Sequence, residues 1–81
     1  MHMQKIIIDY IQNDLLSGQG DLQLTADEDL LTTGLIDSLG IMKLLAFLEE
    51  QFNVKVPAED MTIENFMTVE LMENYMRTLQ G

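Results

Sequence analysis

Between Ser38 and Phe52 the chain reads SLGIMKLLAFLEEQF, and its apolar residues recur at helical spacing. At about 100° per residue, Ile41, Leu44, Leu45, Leu48 and Phe52 gather on one side, which predicts a helix with a single buried face. Such a helix draws its stability from whatever covers that face more than from its own propensity. The covering elements must come from the other segments, and none of them shows the strict alternation of a strand. The expected fold is therefore all-α.

From Met3 to about Ser17 the pattern predicts a first helix, with Ile7, Ile8, Ile11 and Leu15 on one stripe and Asp9, Gln12 and Asn13 off it. His2, in an opening MHM of the kind that cloning leaves, is given little weight. The SGQGD that follows favours a loop. Thr25 and Glu28 have the spacing of a capping box ahead of Leu30 and Leu31, which predicts a brief helical turn. The connection from Gly18 to Asp37 is long enough to need anchors, and Leu22, Leu24, Leu30, Leu31 and Leu35 are the candidates. NVKVP breaks the central helix, Pro57 preventing simple continuation. TIENF has room for only a short helix. Thr68 can cap a last helix to about Leu79, whose stripe is Leu71, Met72, Tyr75, Met76 and Leu79. The result is a small helical bundle of three main helices and one short helix, in a single domain over residues 1–81.

The charge balance narrows the function. With 14 acids against 4 bases the net charge is −10, so nucleic acid and anionic membrane surfaces would be repelled. Self-repulsion also opposes compaction. There is no cysteine, which removes disulfides, thiolate chemistry and thiolate metal sites. No apolar run approaches a membrane span and no secretory signal opens the chain, so a cytoplasmic protein is expected. The single histidine lies near the terminus, and no convergent nucleophile, base and orienting group can be assembled. Catalytic residues are not expected. Asp27, Glu28 and Asp29 lack the alternating ligands and distal glutamate of a calcium loop, so they read as capping and solvated charge, with no metal site.

What remains is Ser38, between Asp37 and an apolar run. An acid and a serine ahead of an amphipathic helix ordinarily form a cap, whose loss in Ser38→Ala is expected to cost about 1 kcal/mol. Leu39, Met42 and Ala46, however, project away from the buried stripe, on the side of Lys43 and Glu50. An apolar strip left outside a core either meets a partner or is covered by the long connection.

The segments GLIDSL at 34–39, LEEQFNVKVP at 48–57 and FMTVELMENYM at 66–76 resemble the acyl carrier proteins and their peptidyl and aminoacyl relatives. With the first helix, the resemblance spans almost the whole chain. It implies 4′-phosphopantetheine attached covalently to Ser38 through a phosphodiester, flanked by Asp37 and Leu39, with an acyl or aminoacyl group carried on the arm as a thioester. A phosphodiester there would lie near the positive end of the helix dipole. The arm would supply the thiol that the polypeptide lacks, and other enzymes the chemistry. Fatty-acid carriers typically have glycine two places before the aspartate, where this chain has Leu35, and commonly have acids where it has Gly40 and Lys43. GLIDSLG is more similar to D-alanine carriers and stand-alone aminoacyl or peptidyl carriers.

The resemblance implies as partners a phosphopantetheinyl transferase, an adenylating ligase or acyltransferase that loads the cargo, and downstream transfer or condensing enzymes. They would meet a monomer at Leu39, Met42, Lys43, Ala46 and Glu50. The alternative is an unmodified helical adaptor with the same fold.

Overall fold

A computed structural model describes residues 3–16 and 24–80. Helix α1 (Met3–Tyr10) runs into a π turn (Ile11–Leu15), α2 spans Ser38–Phe52, a 3-10 turn covers Ala58–Asp60, α3 is Ile63–Phe66 and α4 is Val69–Gln80. Among the described residues there is no strand. The bundle of three main helices and one short one is as the sequence predicts, and α2 has the expected bounds.

The core gathers the predicted faces with some shifts. Leu44, Leu45, Leu48 and Phe52 of α2 are buried, whereas Ile41 is only half-buried. On α1 and its π turn Ile7 and Ile11 are buried, but Ile8 and Leu15 are only partly so. Met3, outside the predicted stripe, is 2% exposed. It is spaced by four from Ile7, so the stripe extends one turn further toward the terminus. The helix ends with Leu16 N–H donating to the Ile11 carbonyl at 2.8 Å, a five-residue step that widens the last turn. Thr68 caps α4 as predicted, its hydroxyl accepting from the Leu71 N–H at 3.1 Å. Val69, Met72 and Met76 form the buried face, while Leu71, Tyr75 and Leu79 are half-buried. Tyr10 stacks on Phe47 with centroids 4.0 Å apart, joining α1 to α2. Gln4 donates to Glu73 at 2.7 Å, joining α1 to α4, and Arg77 donates to the same carboxylate at 2.8 Å. The Arg77 bond first, and then that from Gln4, hold the Glu73 carboxyl below its ordinary pKa.

The connection into α2 departs most from the sequence reading. No capping box forms at Thr25, whose hydroxyl donates to Asp27 instead. Asp29 organises the segment: its carboxylate accepts from the N–H groups of Leu31 and Thr32 at 3.1 and 3.0 Å and from the Thr32 hydroxyl. The Thr32 hydroxyl contributes most to lowering the Asp29 pKa. The outcome is a turn rather than a helix, because a side chain that ties up the first amides without successive amides following in register ends the winding there. Of the anchors, Leu24 and Leu30 are buried, Leu31 and Leu35 are half-buried, and Leu22 lies outside the described residues. Leu30, wholly buried, also donates its N–H to Met67 at 2.8 Å and accepts from the Ile36 N–H at 2.9 Å. Ile36 is a buried anchor that the sequence reading left out.

Beyond α2, Asn53 takes a left-handed conformation at φ 54°, and Glu49 accepts from the Val56 N–H at 2.8 Å, folding the chain back. Tyr75 donates to Asp60 at 2.6 Å and holds the 3-10 turn against α4. Burial, and then that bond to the carboxylate, push the Tyr75 phenol up to about 12.

Leu30→Ala should therefore cost about 3 kcal/mol, read from urea unfolding, because it opens a core cavity at the point that also carries the connection. Tyr75 makes a second, pH-dependent contribution. Its folded pKa lies above the unfolded value, so this stability is full below about pH 10 and is lost as the pH rises toward 12. Unfolding curves from pH 9 to 12 should show a decline that is shallower in Tyr75→Phe, which lacks the ionising group; equal slopes would contradict the assignment.

Candidate functional site

The start of α2 is built by Asp37 rather than by Ser38. Asp37 adopts φ −90° and ψ −175°, the extended geometry of a cap, and its Oδ1 accepts from the Gly40 N–H at 2.7 Å. Ser38 is the first helical residue and is exposed. The expectation of Ser38 as a contributor to the cap is thus corrected. The acid has the extended backbone that a cap needs and reaches the third amide, which leaves the hydroxyl one place on outside the capping bond. The first amides of a helix have no intrahelical partner, so the space beside Ser38 suits an anionic group.

On one side of Ser38 lies an open groove of about 480 Å³. Its walls are Ser38, Ile41, Met42 and Leu45 from α2, Leu31, Gly34, Ile36 and Asp37 from the connection, and Met61, Thr62, Ile63 and Phe66 from the segment through α3. Most of these side chains are apolar. The exposed large apolar residues among the described ones are Leu39 at 65%, Met42 at 63%, Ile63 at 56% and Met61 at 44%. Three of them line the groove and Leu39 follows Ser38 directly, so the two ends of the apolar surface meet around one hydroxyl.

The predicted partner strip divides in two. Leu39 and Met42 stand beside Ser38, uncovered by the described part of the connection. Lys43, Ala46 and Glu50 are also exposed, but line a separate shallow hollow with Tyr10, Phe47 and Gln51. Met61 and Ile63 are the residues that sequence reasoning missed. Four helical residues are too few to show which side faces out, so an apolar residue there reads as core filler. Glu49, beside Glu50, accepts from the Val56 N–H. Among the described residues no group of three or more His, Cys, Asp or Glu side chains could hold a metal ion, and no helix is long and apolar enough to cross a membrane.

The site is thus an exposed serine opening the central helix of a small acidic helical bundle. A family model for the phosphopantetheine attachment site matches residues 14–76. The chain is 32% identical over 81 residues to a D-alanyl carrier protein of Streptococcus uberis, spanning 100% of this chain and 99% of that one. It is 37% identical over 60 residues to a D-alanyl carrier protein of Streptococcus pyogenes serotype M1, spanning 74% of this chain and 76% of that one. A solved structure described as the crystal structure of an FAD-dependent dehydrogenase superposes with a TM-score of 0.80 at 36% identity, covering 89% of this chain and 100% of that one. The protein belongs to the phosphopantetheine-binding carrier family. It is a carrier rather than a catalyst, and a carrier works with a transferase that installs the arm and an enzyme that loads it.

The division of labour between the cap and the serine gives a direct test. Asp37→Ala should lower stability by about 1 kcal/mol through loss of the capping bond, whereas Ser38→Ala should change it by less than about 0.5 kcal/mol. Thermal melts of the two variants beside the parent would show this, and equal losses would return the cap to Ser38.

Proposed function

We propose that Ser38 carries the 4′-phosphopantetheine arm and that the protein, a single carrier domain over residues 1–81, presents an aminoacyl thioester on it. The observation that carries this reading is an exposed hydroxyl free of the capping bond, on the first residue of a long helix and at the lip of an apolar groove. In the transfer, Ser38 Oγ attacks the β-phosphorus of coenzyme A. A new P–O bond forms, the pyrophosphate bridge breaks, adenosine 3′,5′-bisphosphate leaves and the hydroxyl proton passes to a base of the transferase. The helix dipole and the first amides favour the resulting phosphodiester. Coenzyme A is an intracellular donor, which supports a cytoplasmic setting.

Relatives named D-alanyl carrier protein support D-alanine as the cargo, loaded by an adenylating ligase. Leu39 and Met42 would contact these enzymes beside the serine, with Lys43, Ala46 and Glu50 at the edge of the same contact. The likeness to the structure described as an FAD-dependent dehydrogenase supports a second reading, in which another aminoacyl group is oxidised on the arm by a flavin enzyme. Such a reaction would remove two hydrogens from the cargo and reduce the flavin.

Incubation with coenzyme A, magnesium and a broad-specificity phosphopantetheinyl transferase should add one arm to the protein, located by peptide mass spectrometry at Ser38 and absent in Ser38→Ala. Ser17 is the only other serine, so an arm there would place the site elsewhere. Failure with a transferase active on another carrier would favour the unmodified adaptor. Holo protein offered single amino acids with their adenylating ligases should form a D-alanyl thioester; loading of a different amino acid, followed by a two-hydrogen mass loss with a flavin dehydrogenase, would favour the second reading. Met42→Glu should impair loading while keeping its helical content, since the side chain is 63% exposed.

A further inference from the structure

A Cβ placed on Gly40 would stand 2.9 Å from Ile36 Cγ2 and 3.2 Å from Asp37 Oδ1. The first distance is too short for two carbon atoms. Ile36 has little freedom to move aside, because its side chain is buried and stiff at the branched carbon and its N–H is held by Leu30. The second atom is the one that accepts the Gly40 N–H, at 2.7 Å. A side chain at position 40 would therefore push on both residues that lead the chain into Ser38.

Conformational freedom does not explain this glycine. Among the described glycines the positive φ belongs to Gly34, so Gly40 has ordinary helical torsions, and alanine would be the better helix former. What glycine adds is close approach. With no Cβ between them, the first turn of α2 and the end of the connection are in contact, and Ser38 lies on the piece of chain they share.

We propose that Gly40 is a positioning residue for modification of Ser38: by leaving the space that a Cβ would take, it lets Ile36 and Asp37 close on the first helical turn and sets the direction in which the hydroxyl is offered to the transferase. This rests on Ser38 being the attachment site. It also means that an acidic side chain at position 40 would act by displacing the chain, in addition to its charge.

The test uses the apo protein with coenzyme A, magnesium and the transferase, measuring initial rates against carrier concentration at a temperature where circular dichroism shows each variant to be folded. Gly40→Ala should lower kcat/KM by about tenfold, since displacements well under 1 Å suffice to misplace a reacting atom. In Ile36→Ala/Gly40→Ala the opposing methyl is gone but the Asp37 contact remains, so the loss relative to Ile36→Ala should be smaller than the loss of Gly40→Ala relative to the parent. A role in stability only would change the melting temperature and leave the kinetics of the folded protein untouched, so Gly40→Ala modified at the parent rate overturns the proposal. Should Gly40→Ala fail to fold, the comparison of the double variant with Ile36→Ala decides: a slower double variant, through the Asp37 contact that remains, supports the proposal, and equal rates overturn it. Absence of an arm on the parent protein, with the transferase active on another carrier, instead overturns the assignment of Ser38 and the proposal with it.

Discussion

The anchoring of Leu30 is the constraint on which the functional end of the molecule depends. Its side chain is wholly buried, its N–H is bonded to Met67 between α3 and α4, and its carbonyl accepts from Ile36. Glu70 adds a second tie across the same seam, its N–H donating to Ala26 at 2.9 Å. A connection of this length would ordinarily cost more order than it returns. Fastened at Leu30, the described part of it ties Asp37, and with it the start of α2, to the far side of the bundle.

The chemistry at that start is separated between neighbours. Asp37 satisfies the helix and leaves the Ser38 hydroxyl outside the capping bond. On the opposite wall, Tyr75 and Asp60 hold the 3-10 turn from which Met61 and Ile63 follow. The groove is thus framed by elements each fixed by its own interaction, which leaves its apolar rim to be shaped by short segments rather than by helix ends free to shift.

How much of this was legible in the sequence depended on the length over which a pattern repeats. The bounds and buried face of α2 could be read because fifteen residues carry several turns of the same stripe. The cap on α4 could be read because Thr68 stands three residues ahead of the stripe that begins at Leu71. The connection could not, because the spacing of Thr25 and Glu28 is also compatible with a turn, and the choice is made by Asp29, whose three bonds compete with helical winding. Ile36 was hidden within the serine motif itself, and Met3 by its place near the start of the chain. In the site, Ser38 was visible through its motif and Leu39 and Met42 through projection. Met61 and Ile63 were not, since their outward direction is imposed by tertiary contacts of a segment with almost no periodicity.

The gathering of Leu39, Met42, Met61 and Ile63 at one end of a chain of net charge −10 has a colloidal consequence. Such a patch on a neutral particle would invite pairing between copies at high concentration. Here each copy brings its excess negative charge to any encounter, and at physiological ionic strength that repulsion reaches about 8 Å, far enough to oppose the last approach of two apolar ends. A surface that presents basic groups meets attraction instead. The excess acidity of the chain therefore weighs against self-association through its apolar patch.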